Sequence, residues 1–256
     1  MQSNARGVIA AACLLAGAAI LQACTASEVL RPDIDVTSTA SFVMPAPGLQ
    51  RLVPSNPYLN SEPEFRAPST VPSVMPADEV DCRRELRRLG ATWKDLPPVG
   101  NGTSCGIDYP VELAVLSGNI QMKPAATLSC RMAVAVARWT KDELGPSTRL
   151  RYLTGVKAIH QASSYSCRRI AGSASMSEHS KGNALDIARI ELNSGKRIGV
   201  RKPGFFAFRE KSLLNNVRAD ACDYFSTVLG PGYNHDHRDH FHFDIAQRRN
   251  GRKACH

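Results

Sequence analysis

The chain has 256 residues, 43% of them hydrophobic and 21% charged, with a formal net charge of +9. That is enough apolar chain for one large domain or two small ones with a substantial core. The positive balance suits an anionic partner, yet no stripe of Arg and Lys interleaved with aromatics accompanies it, and no P-loop or GxGxxG fingerprint is present. Nucleic acid, ATP, nicotinamide and flavin are therefore not expected as partners.

At the N-terminus a single cation, Arg6, precedes the apolar run GVIAAACLLAGAAILQAC. The run is short for a membrane span of about 20 residues and ends in small residues, so residues 1–24 read as an export signal. Its last four residues, Leu21-Gln22-Ala23-Cys24, resemble a lipobox. A lipid on Cys24 would anchor the mature protein to a membrane, and the periplasm is the expected compartment. Residues 25–77 follow as a Pro-rich linker. Nine of the sixteen prolines lie between Thr25 and Pro76, among Ser, Thr and Asn without helical or strand periodicity, the composition of a disordered tether.

Residues 78–256 carry short mixed elements. DEVDCRRELRRLG reads as a helix with Asp81 at its N-cap and Gly90 at its stop. VELAVL alternates as a strand. ATLSCRMAVAVARWTKDELG places Leu128, Met132, Val136 and Trp139 on one helical face, ended by Gly145-Pro146. LTGVKAIH, SSYSCR, NALDIARIEL and KRIGV are strand candidates. EKSLLNNVRADACDYFSTVLGPG reads as a second long helix, with Leu214, Val217, Ala221, Phe225 and Val228 on one side, and HFHFDI closes the series as an alternating strand. The expected class is α+β, helices packed on an antiparallel sheet.

With Cys13 in the signal and Cys24 under lipid, six cysteines remain: Cys82, Cys105, Cys130, Cys167, Cys222 and Cys255. An even number in an exported chain points to three disulfides, and zinc through cysteine is disfavoured because no CxxC pair exists. Short loops favour Cys222 with Cys255 and Cys82 with Cys105.

Four of the seven histidines fall within HDHRDHFH, His235 to His242. Strand alternation puts His240 and His242 on one face and Phe241 and Phe243 on the core side. Farther up the chain, SEHSKGNALDI offers His179 and Asp186 if the chain folds back at Ser180-Lys181-Gly182, a bend that Gly182 makes easy. Catalytic zinc takes three such ligands and keeps a fourth position open. His179, Asp186 and either His242 or His240 can supply them, leaving the other histidine as base or charge stabiliser. His235, in a Gly/Tyr/Asn loop, is set aside. Ser177 reads as a turn cap, and Asp244 shares the face of His242, where it can orient that ring.

These residues carry a resemblance. SEHSKGNALDI resembles the S-x-H-x-x-G-x-A-x-D signature of zinc D-alanyl-D-alanine carboxypeptidases, in the group that also holds lysostaphin-type and hedgehog-type enzymes. HRDHFHFD resembles the H-x-x-H-x-H of penicillin-insensitive murein endopeptidases. Together with Cys130, SYSCR and the cysteine near the end, the whole is most similar to the bacterial extensin-like C-terminal family, from about Asp78 to Cys255. The resemblance implies a hedgehog/DD-peptidase-like zinc fold. It implies zinc ligands at His179, Asp186 and His242, catalytic histidines at His240 and His237, and a substrate-binding arginine at Arg168. Position 239 is Asp where the carboxypeptidases carry Glu-x-x-His before the last ligand, which moves the expected class toward endopeptidases. The implied activity is zinc-dependent hydrolysis of amide bonds in peptidoglycan peptides by a monomeric envelope protein. The alternative is a zinc-containing cell-wall-binding lipoprotein with little or no catalysis.

Overall fold

The computed structural model describes residues 74–248 and 251–256. The expected signal, the lipidated Cys24 and nearly all of the linker lie outside the described residues. Among the described residues no helix is long and apolar enough to cross a membrane.

The first element is helix α1 (Ala77–Arg88), two of whose residues, Arg83 and Leu86, are buried. Its start differs from the sequence expectation: Pro76 holds the N-cap position with no side-chain cap, and Asp81 lies inside the helix, paired with Arg84 at 2.7 Å. The stop holds, since Gly90 adopts φ +72°, a conformation that favours glycine. Strand β1 (Thr92–Asp95) follows, then the small hairpin β2 (Val99–Gly100) and β3 (Gly106–Ile107), and strands β4 (Pro110–Leu116) and β5 (Ile120–Ser129). Arg83 fastens α1 to this region: it donates to Glu79 and Asp95 at 2.6 and 2.7 Å and to the Tyr109 carbonyl at 3.2 Å.

Ala126 to Ser129, expected to be helical, finish β5 instead, and α2 (Cys130–Trp139) begins after them with Ser129 as N-cap, its hydroxyl accepting from the Met132 N–H. A hydroxyl that can satisfy the first free N–H groups sets the boundary more firmly than the apolar period does. Nor does the helical segment end at Gly145-Pro146. A π-helical turn over residues 140–144 leads into α3 (Gly145–Tyr152), where proline occupies the first turn, the position at which its missing N–H costs nothing.

Strand β6 (Val156–Ser163) precedes a loop; SSYSCR is not a strand beyond Ser163, and the segment is held by backbone hydrogen bonds from Tyr165 to Thr127 and from Ser166 to His179 and by an isolated bridge between Arg169 and Met176. A 3₁₀ turn (Glu178–Lys181) then leads into β7 (Ala184–Leu192) and β8 (Arg197–Gly199). The second long helix is shorter than expected. Helix α4 (Phe208–Ala221) stops before Phe225, and Thr227–Leu229 form β9, so Phe225 and Val228 reach the core from outside the helix. β10 (Phe241–Asp244) and β11 (Ala254–Cys255) complete the set.

The main sheet runs β1-β4-β5-β6-β7-β10-β9-β11, with β8 beside β7. All pairings are antiparallel except β5 with β6 and β9 with β11. The chain is thus α+β with a mostly antiparallel sheet. In the β7/β10 ladder Phe241 lies opposite Ile187 and Phe243 opposite Leu185, while His242 lies opposite Asp186. The phenylalanines enter the core, where Phe243 meets Trp139 edge-on at 5.2 Å and stacks on Phe225 at 4.7 Å. Trp139 donates its indole N–H to the Val217 carbonyl at 2.9 Å, which joins α2 to α4 behind that face. Period-two alternation then leaves His242, Asp186 and Asp244 for the opposite face.

Three disulfides brace the fold: Cys82–Cys130, Cys105–Cys167 and Cys222–Cys255. The last agrees with the loop-length expectation; Cys82 with Cys105 does not. α1 packs beside the start of α2, so Cys82 finds Cys130 across tertiary space while Cys105, in the β2–β3 hairpin, finds Cys167.

Candidate metal centre

The two histidine segments converge. His179 stands on the 3₁₀ turn, Asp186 on β7 and His242 on β10, and one ligand atom from each lies within 4.8 Å of the others. The turn that presents His179 is closely specified. Ser177 caps it, and Gly182 ends it at φ +65°. A Cβ at Gly182 would lie 2.2 Å from Ile107 Cδ1 and 2.8 Å from the Ser129 nitrogen, so this position demands glycine twice over. The Ser129 N–H donates to the Gly182 carbonyl at 2.9 Å, and the Ser129 hydroxyl donates to Asn183 Oδ1 at 2.8 Å.

The closest approaches are His179 Nε2 to His242 Nδ1 at 3.3 Å, His179 Nε2 to Asp186 Oδ2 at 3.2 Å, and His242 Nδ1 to Asp186 Oδ1 at 2.8 Å. Ligand atoms around a tetrahedral zinc, bonded at about 2.0–2.1 Å, stand roughly 3.3 Å apart. The donors present therefore fit the ion. The outward nitrogens are also held as a metal site requires. His179 Nδ1 donates to the Ser164 carbonyl at 2.6 Å, which fixes the tautomer and leaves Nε2 its lone pair. His242 Nε2 donates to Asp244 Oδ2 at 3.2 Å, and Asp244 in turn accepts from the Thr227 hydroxyl at 2.6 Å.

Without a metal, this arrangement is an ion-pair network. Burial tends to raise the Asp186 carboxyl, but the His179 and His242 rings against it outweigh burial and hold the group well below the usual carboxylate range. Burial likewise opposes a charged His242, yet the two carboxylates on its nitrogens raise it to about 9.

The remaining sequence candidates gather around this cluster. His240 Nε2 lies 3.8 Å from Asp186 Oδ1, and its Nδ1 faces Asp239 Oδ1 at 3.1 Å. His237 packs against the rings of His240 and His242 at 5.3 and 5.8 Å, with its Nδ1 donating to Asn234 at 2.6 Å. Burial, then the neighbouring His242 and His240, push His237 below its ordinary value. Arg168 reaches Asp186 Oδ2 at 3.5 Å. His235 is exposed and engages Arg238. His179, Asp186, His242, His240, His237 and Arg168 all line one open cavity of about 460 Å³, a size suited to a ligand of several residues or rings.

The sequence reading missed four supporting groups. Asp239 carries a signal only in its adjacency to His240, and Asn234 in its position three residues before His237, whose backbone N–H its side-chain oxygen accepts at 3.0 Å. Thr227 falls within the stretch that continues the helical spacing of α4 in the sequence but lies on β9, where its hydroxyl faces Asp244. Arg248, on the cavity rim, donates to the Ser226 carbonyl and to Thr227 Oγ1 at 2.8 and 2.6 Å, contacts that depend on a chain reversal with no local signature.

A family comparison matches residues 80–256 to the family described as Extensin-like protein C-terminus. The chain belongs to that family. Comparisons with curated proteins and with solved structures returned no match.

Proposed function

We propose that the protein is a zinc-dependent hydrolase of amide bonds in peptidoglycan peptides, of the murein endopeptidase or carboxypeptidase type, with a hedgehog/DD-peptidase-like centre. The observation that carries this reading is the convergence of His179 Nε2, an Asp186 oxygen and His242 Nδ1, both histidines held through their other ring nitrogen, beside a further histidine in an open cavity. Those three residues would hold the ion. Zinc in such a setting lowers the pKa of water toward 7 and polarises a carbonyl.

The chain's own residues supply the rest. His240 directs Nδ1 to Asp239 and Nε2 toward the cluster, so Nε2 is the nitrogen available to take a proton from the attacking water and return it to the leaving amine. His237, whose Nδ1 donates to Asn234, keeps a lone pair on Nε2 and can accept a hydrogen bond from the attacking water. Arg168 and Arg248 place two guanidinium groups on the cavity wall, where a peptide carboxylate can be bound and oriented. The substrate class rests on the motif resemblance and on the match of a chain of charge +9 to an anionic wall polymer. The activity calls for a protein exported to the cell wall, which fits the reading of residues 1–24 as a lipoprotein signal.

Digesting purified muropeptides with the zinc-loaded chain and with His240→Ala tests the proposal. New products from the wild type, reduced at least about a hundredfold in the variant, are expected. Metal-replete protein that binds the sacculus and yields no product would instead make it a wall-binding lipoprotein.

A further inference from the structure

From the end of β8 through the first turn of α4 the chain reads VRKPGFFAFREK. Its three aromatic rings point away from the core: Phe205 is 84% exposed, Phe206 83% and Phe208 66%. A lone exposed apolar residue needs no account, but three within four positions form a patch of the kind that marks an interaction site. Phe205 and Phe206 meet edge-on at 5.1 Å, and Phe206 and Phe208 share a shallow groove with Tyr152 of α3. The patch also has a cationic frame. Arg201 and Lys202 precede it, and Arg209 and Lys211 follow. The single acid, Glu210, is already paired with Lys196 at 2.9 Å.

We propose that this segment is a membrane-docking surface, in which Phe205, Phe206 and Phe208 enter the headgroup boundary of an anionic lipid bilayer while the surrounding Arg and Lys side chains engage lipid phosphates. Charge complementarity decides the occupant. A protein partner would be served by apolar area with an acid/base pattern that selects it, whereas an aromatic cluster flanked by four cations, its one acid Glu210 neutralised by Lys196, matches a surface that is apolar below and uniformly negative above. Each cation near such a surface contributes about a tenfold change in partition at most, and the aromatics add the apolar term. The surface is built from residues outside the candidate metal centre, so the inference stands whether or not the chain is a hydrolase.

The test places a reporter inside the patch, so that any N-terminal anchor cannot mimic the result. Full-length Phe206→Trp protein is mixed with vesicles of phosphatidylglycerol and phosphatidylcholine carrying brominated acyl chains, with wild type as the background for Trp93 and Trp139. A blue-shifted emission quenched by the bromines is expected. It should be weakened about tenfold or more in apparent partition by Arg201→Glu with Lys202→Glu, and largely lost on pure phosphatidylcholine. No quenching above background on anionic vesicles overturns the proposal. So does emission that ignores vesicles while the chain sediments as a dimer that Phe206→Ser dissolves, since the patch would then belong to a second copy.

Discussion

His242 decides the acid–base behaviour of the candidate centre. Both its nitrogens face carboxylates, so in metal-free protein it keeps two protons until about pH 9, and a metal at Nδ1 must displace one of them. Two outcomes follow. Zinc affinity should rise with pH from about 6.5 to about 9, with proton release on binding, measurable by calorimetry in buffers of different ionisation enthalpy. Metal-free stability should move the other way. A folded-state pKa above the unfolded value near 6.5 gives a stabilisation that is complete below pH 6.5 and is lost as pH rises through about 9. Thermal melts in chelator should therefore decline across that window, and His242→Gln should flatten the decline; an unchanged slope in the variant would show that other groups cause it. Asp244→Asn probes the same ring from behind. It keeps a hydrogen-bond acceptor for Nε2–H but removes the charge, and metal affinity measured by chelator competition should fall about tenfold to a hundredfold.

Among the elements, the turn before β7 places the first ligand, and its glycine is the least replaceable residue there. Gly182→Ala would have to hold a side chain at φ +65° and push against Ile107 and the Ser129 backbone. About 3 kcal/mol of destabilisation is expected in denaturant melts, from the left-handed strain and the overpacking together. Weaker metal binding should accompany it, because His179 rides on that turn. This turn and the β10 alternation were legible in the sequence because each is local: a glycine between two polar residues, and apolar residues every second position. The segment after α4 was not. Phe225 and Val228 continue the helical spacing of Leu214, Val217 and Ala221, yet they belong to a loop and to β9. A strand of three residues is too short to announce itself by alternation, and what fixes it is pairing with β10, which no local window contains. The same shortness hid β1 and, with β9, the Thr227 support for Asp244, whereas in β5 the apolar spacing of Leu128 runs on into Met132 and Val136, so the end of the strand reads as helix.

For the molecule as a whole, the three bridges are not equivalent, and the difference separates stability from site geometry. Each closes a loop of a few tens of residues, with separations of 48, 62 and 33 positions. Chain entropy then assigns each roughly 3 to 5 kcal/mol. Sequence spacing misassigned Cys82 because loop length is a weak guide once helices and hairpins bring distant cysteines together. Cys105–Cys167 alone has a cysteine next in sequence to a residue of the cavity wall, Arg168. It ties the β2–β3 hairpin, whose Ile107 packs at Gly182, to the loop that carries Arg168 and, through Ser164, holds His179. Cys222–Cys255 fastens the end of α4 to edge strand β11. Removing either bridge, as Cys105→Ser with Cys167→Ser or Cys222→Ser with Cys255→Ser, should lower stability by comparable amounts in denaturant melts. Only the first should also loosen the metal, by about tenfold or more in chelator competition at a temperature where both variants remain folded. Equal metal retention in the two variants would mean that the β7/β10 ladder holds the ligands unaided and that the hairpin contributes to stability alone.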